Sequence, residues 1–316
     1  MTLLLRSIIR AISAVILLTA NAFGQEFPTR NIDFIVPFSP GGGSDNIVRA
    51  LQPSLERALG QTIVIRNIAG GGGAVGYSRL VRAEPDGYSI TTTNNAIFTL
   101  SSFSNAPFVN ADFDHLARVA VMPYILAVRN NDEWTDLESL RRDLEKNNRK
   151  LSVGFSGVGS STHITAHAIA NALGMEFLFI PYGGGTAAVS SAMGGHIDAV
   201  VLNPSEILSA VDAGKLTPVL STGSERSVFM PEIPTLKELG FDLELEQWRG
   251  VSAPKGLSPE VKDAYVSAIK IAVQDPRFIQ TIEASSTEVR PLFGQELDDF
   301  IQATEEIILP IVESVK

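Results

Sequence analysis

Three glycine-rich links hold the residues whose types and spacing could do chemistry, and each runs from a predicted strand into a predicted helix. The first is Pro37-Phe38-Ser39-Pro40-Gly41-Gly42-Gly43-Ser44-Asp45. Glycine there allows positive φ and close approach of a ligand, while the first N–H groups of the next helix lack partners within it. Such a link accepts an anion. A hydrogen bond to a charged group contributes roughly 1.5–3 kcal/mol, so two or three amides can hold one carboxylate without Arg or Lys. The competing reading is a tight turn with Ser44 or Asp45 as a plain N-cap. The second link, Ser156-Gly157-Val158-Gly159-Ser160-Ser161-Thr162-His163, adds the hydroxyls of Ser156, Ser160, Ser161 and Thr162. The third, Tyr182-Gly183-Gly184-Gly185-Thr186, adds Gly184. All three follow a strand's C-terminal end, where ligands bind in open α/β sheets. Glu206, at a further predicted helix start, is placed toward the ligand's far end, which favours one carboxylate with a neutral, hydroxylated or cationic tail.

Enzyme readings lack parts. Gly71-Gly72-Gly73-Ala74-Val75-Gly76 matches the dinucleotide fingerprint, but Asn94-Asn95 ends the next predicted strand where an acid should bind ribose. Asn94 is instead a candidate ligand contact. Gly154-Phe155-Ser156-Gly157-Val158 misses the last glycine of a nucleophile elbow. His163 and His167 have the spacing of a metal pair, yet Ile164 replaces the glutamate and no third ligand suggests itself. His115 and His196 read as surface or turn residues, and Trp134 and Trp248 as core or hinge packing. No catalytic residue, metal or cofactor is expected.

The elements that must position these links alternate between strand and helix, the pattern of α/β lobes with mainly parallel sheets. The expected strands are 32–36, 62–66 and 89–93, then 125–129, 151–155, 177–180, 199–202 and 218–221, with 248–253 near the end. Helices are expected over 44–59, 74–82, 136–146, 162–173, 186–193 and 205–213, and two or three over 258–315. The last third has too few strands for its own sheet and returns to the first lobe. The division is therefore 25–124 with 247–316 as lobe 1, and 125–246 as lobe 2.

At 316 residues with 45% apolar and 19% charged side chains, the chain is long enough for two packed domains. Residues 1–24 read as a cleavable secretory signal: Arg6 and Arg10 precede an apolar run over 11–20, and small residues follow at Ala20, Ala22 and Gly24. That run is short of the roughly 20 residues a membrane span needs. Cleavage after Ala22 or Gly24 removes both arginines and takes the net charge from −10 to −12, which disfavours nucleic acid and anionic membranes as partners. Absence of cysteine excludes a disulfide framework, a thiolate nucleophile and a lipid-accepting Cys. A monomeric periplasmic protein is expected.

Taken together the motifs resemble the Bug family, the periplasmic receptors of tripartite tricarboxylate transporters. The matching stretches are Phe27-Pro28, Ile35-Val36-Pro37-Phe38 with the Pro-Gly-Gly-Gly-Ser-Asp loop, Pro85-Asp86-Gly87-Tyr88, and Gly159-Ser160 with His163. Ile180-Pro181-Tyr182, Gly194-Gly195 before Ile197-Asp198, Ala213-Gly214-Lys215-Leu216 and the stretch 231–236 continue in order over nearly the whole chain beyond residue 24. The resemblance implies a type II periplasmic-binding fold, two lobes joined by two crossover strands and closed on a small carboxylate. It also implies a partner, either membrane permease subunits or, as in some relatives, a sensor kinase. The family's anion-binding loops fall on Pro40 to Asp45 and on Ser156 with Ser160 to Thr162. Gly183 stands where Lys is frequent, and Leu202 and Glu206 where Asp and Ser are common around Asn203, itself a candidate contact.

Overall fold

The computed structural model describes residues 27–315 other than 105 and 132, so the signal segment lies outside the described residues. The chain folds around two five-stranded sheets of the same plan. The first has the order β2-β1-β3-β10-β4, built from β1 (Ile32–Val36), β2 (Ile63–Asn67), β3 (Ser89–Thr93), β4 (Phe113–Pro123) and β10 (Glu246–Pro254). The second has the order β7-β6-β8-β5-β9, from β5 (Ile125–Arg129), β6 (Leu151–Phe155), β7 (Phe177–Pro181), β8 (Ala199–Leu202) and β9 (Leu216–Ser221). In each, the first three strands are parallel and the fourth is antiparallel to both its neighbours. The sheets are mixed because each fourth strand comes from a crossing between sheets: β4 leads directly into β5, and β9 leads through a loop into β10.

The helices follow from apolar periodicity and caps. In α1 (Gly43–Leu59), Ile47, Val48, Leu51 and Leu55 share one buried stripe, and Gly60 ends the helix at φ 66° with its N–H donating to Glu56 O. The helices α2 (Ala74–Val81) and α3 (Ala96–Ser104) complete the N-terminal part. In the middle lie α4 (Leu137–Asn147), whose N-cap Asp136 accepts from Ser139 N, α5 (Ser161–Leu173), α6 (Gly185–Met193) and α7 (Pro204–Asp212). Then come α8 (Pro259–Ala272), α9 (Pro276–Glu283) and α10 (Gly294–Val315). Helices α1, α8 and α9 cover one face of the first sheet with Leu51, Leu55, Tyr265, Ile269 and Phe278. Tyr77, Phe98 and Trp248 fill the other face, where α10 packs on α3 and β4 and reaches across to α5.

Neither β4 nor α3 is marked by the sequence, and one consequence is a correction. His115 lies half-buried on β4, with Nδ1 2.9 Å from Ser252 Oγ and Nε2 2.9 Å from Asn110 Oδ1, and is not an open surface or turn residue. Asp114, His115 and Arg118 interrupt the apolar alternation and hide the strand. Burial, with a smaller contribution from Lys255, depresses the imidazole to about 4, so it stays neutral in the fold. The unfolded chain takes up a proton near pH 6.5 that the folded chain refuses until about 4, so stability falls as pH drops through that window. Near pH 5.2, His115→Gln is expected to lower proton uptake on unfolding by about one; equal uptake in both proteins would show His115 to be charged in the fold.

Candidate functional site

The first glycine link is braced by the chain's own carboxylate. Asp45 is 1% exposed; its Oδ2 accepts from Gly41 N (2.8 Å) and Arg49 Nε (2.8 Å), and its Oδ1 from Asn67 Nδ2 (2.8 Å). Burial pushes this carboxyl up, but the bonds from Arg49, Gly41 and Asn67 outweigh it and hold it below the usual range. One amide expected to face a ligand is therefore already used. Within the link only Gly41 needs the left-handed region (φ 79°); Gly42 sits at φ −78° and Gly43 is helical, which corrects the expectation that those two require glycine's freedom. Gly42 takes the N-cap position of α1 without a side-chain bond, so no side chain caps the first-turn amides.

A cavity of about 460 Å³ lies between the two sheets. Gly71, Gly72, Asn94 and Phe103 line it from the first side, Ser156, Ser160 and Ser161 from the second, and Gln247 of β10 from below. Among the described residues none that lines it is charged. Asn94 Oδ1 accepts from Ala96 N, Ser160 Oγ donates to Gly157 O, and Thr162 Oγ1 accepts from Ser156 N, so these side chains also fix their own loops. Gly159 rests on the Phe103 ring, where a Cβ would stand 3.0 Å from Cγ. Gly71, Gly72, Phe103 and Gln247 escaped the sequence reading. The signal available was the run Gly70 to Gly73, in which every residue has positive φ.

The third link does not line this cavity, although Tyr182 O borders Gly157 of the second. Gly184, at φ 147°, starts α6, and Glu206 packs against the adjacent Gly185, where a side chain would overlap Oε1. Glu206 Oε2 accepts from Asn203 N (3.1 Å), and burial raises its carboxyl despite that bond. Asn203 is consumed at the crossing between sheets: Nδ2 donates to Pro123 O (2.9 Å), and Oδ1 accepts from the Gln247 amide. Asn94, Ser156, Ser160 and Ser161 thus meet at one cavity, and Gly43 lines another of about 330 Å³ with Arg249. Pro40, Gly41, Gly42, Ser44, Asp45, Thr162, Gly184, Asn203 and Glu206 line neither.

The metal spacing of His163 and His167 resolves into an aromatic ladder. His163 lies on Phe155, His167 meets it edge-on, and His167 stacks on Phe179 at 3.6 Å.

Comparison with known proteins agrees with this architecture. The solved TctC solute-binding protein from Polaromonas is 25% identical, covers 91% of this chain and 99% of its own, and superposes with a TM-score of 0.84. The periplasmic binding protein BugD is 28% identical with a TM-score of 0.66, covering 91% and 97%. Protein BugT of Bordetella pertussis is 28% identical over 84% of this chain and 83% of its own. The two sheets are thus the two lobes of a periplasmic-binding fold, as the resemblance implied. Residues 47–316 match the family model described as "tripartite tricarboxylate transporter family receptor", and to that family of solute-binding receptors the chain belongs.

Proposed function

We propose that this receptor captures a small carboxylate between its lobes, hands it to the membrane subunits of a tripartite transporter, and catalyses nothing. The observation that carries the reading is the uncharged, hydroxyl- and amide-lined cavity shared by both lobes. The serine hydroxyls and backbone N–H groups that line it can hydrogen-bond the oxygens of such a ligand from both sides. The two chain crossings, β4 to β5 and β9 to β10, let the lobes close as units. Export to the periplasm through cleavage of residues 1–24, lobe boundaries near 125 and 247, and a monomeric state belong to the same reading.

Thermal unfolding with acetate, lactate, glycine betaine, malate, adipate and citrate, each against chloride at equal ionic strength, tests it. A ligand at 100 times its Kd is expected to add about 2.7 kcal/mol. The sequence reading of Glu206 puts the single-carboxylate acids first, although its Oε2 accepts from Asn203 N and it lines neither cavity. Absence of any shift overturns the carboxylate reading, and a shift largest with citrate overturns the role given to Glu206.

A further inference from the structure

Arg249 lies on β10 at the floor between the lobes and is 8% exposed. Its Nη1 donates to Trp248 O (3.1 Å). The Gln247 carbonyl oxygen, with the amide oriented to satisfy its neighbours, accepts from Nη1 (2.9 Å) and Nη2 (3.0 Å). These acceptors are neutral, and among the described residues no carboxylate lies within ion-pair distance of the guanidinium. Nε has no hydrogen-bond partner. A buried cation is ordinarily paired, so an unpaired one requires an explanation.

Two further groups stand unsatisfied around it. Among the described residues the hydroxyls of Tyr77 and Tyr124, both 0% exposed, have no hydrogen-bond partner, and both rings lie close enough to Arg249 to interact with it electrostatically. The backbone of Asn94 comes near Tyr77, and Ser161 and Thr165 come near Tyr124, without reaching hydrogen-bond geometry. Arg249 also lines the cavity of about 330 Å³ with Gly43 and Asn46. A Cβ on Gly43 would stand 3.8 Å from Nη2, which sets the guanidinium beside the uncapped first turn of α1. Through Gln247 the same group reaches the interlobe cavity. Orphaned donors therefore converge from α1, α2, β10 and the crossing between lobes.

We infer that Arg249, with the Tyr77 and Tyr124 hydroxyls, is the cationic anchor for the ligand's carboxylate, next to the first-turn amides of α1. The inference rests on the carboxylate-receptor reading and deepens it by giving the site a fixed counter-charge. The planar guanidinium offers unused N–H donors to a carboxylate, whereas the cavity in front of Gln247 has only neutral lining. Without a bound acid the same cation is a liability, because no carboxylate among the described residues pairs with it.

The test repeats the six-acid thermal series on wild type, Arg249→Met and Arg249→Lys. Arg249→Met is expected to melt at or above the wild-type midpoint without acid, and to weaken binding of the best-binding acid at least 100-fold. Arg249→Lys keeps the charge without the fork and is expected to weaken it about tenfold. A methionine variant that fails to fold, or that melts well below wild type, would show that Arg249 is structural and overturn the inference. An equal response of wild type and Arg249→Met overturns the anchor and leaves the carboxylate reading standing. A wild type unmoved by every acid overturns both.

Discussion

Glu246→Ala is expected to lower the unfolding free energy by about 3–5 kcal/mol, the usual loss when one member of a buried ion cluster is removed and the others stay behind. Glu246 opens β10 and is 6% exposed; Oε1 accepts from Arg290 Nη1 at 3.1 Å, and Oε2 lies 3.8 Å from Arg118 Nη1. Arg118 Nε donates to Arg290 O (3.0 Å), and Arg290 Nη2 donates to Ser224 Oγ (2.8 Å) in the loop after β9. Burial brings the Arg118 guanidinium down to about 10, so without Glu246 a strained cation remains in the interior. The cluster ties β4, β10 and the loop after β9 together where the chain passes between lobes. Urea unfolding of Glu246→Ala and Glu246→Gln measures the effect, the glutamine variant losing less because it keeps an acceptor. A loss under 1 kcal/mol in the alanine variant would mean that water already solvates the arginines.

Gly76→Val is expected to be comparably severe, at or above the upper end of the roughly 1–3 kcal/mol typical of overpacking. A Cβ at Gly76 would stand 2.7 Å from Pro37 Cα and 2.8 Å from Ile68 O, and backbone atoms cannot swing aside. The GGGAVG run therefore matches the dinucleotide fingerprint for a packing reason: its last glycine lets α2 lie against the link that follows β1. Pro37 begins the link that ends at the start of α1, so the variant should also blunt the response to acids. A near-native melting point with full ligand response would show that α2 can slide, and would refute the close-packing account.

Where apolar period and turn chemistry agreed, the sequence was legible. The stripe Ile47, Val48, Leu51, Leu55 with Gly60 marked α1, and strands 125–129, 151–155 and 199–202 match β5, β6 and β8. Legibility failed where polar residues sit on a strand. Asp114, His115 and Arg118 disguised β4, and α3, Ala96–Ser104, is apolar without a clear stripe. In the candidate site, residue type pointed to the loops but not to their internal bonds. Nothing local announces that Asp45 takes the Gly41 amide, because Asn67, which completes that brace, comes from the end of β2. Arg249 gave one usable signal, the single charge inside the stretch 248–253. The partners it lacks are visible only in three dimensions.

The insertion of β10 between β3 and β4 also sets an order in time. Thr93 pairs with Gly250, and Ala117 pairs with Val251, so the middle of the first sheet waits for a strand made after the entire second lobe. Until then β3 and β4 present bare edges, and Trp248, which fills the core beside Phe98 and Phe300, is missing. The second lobe has all its strands within one continuous stretch and can assemble first, whereas the first lobe closes only through pairings far apart in the chain, which form slowly. The first lobe, although it begins first in the chain, is thus the last part to become solid.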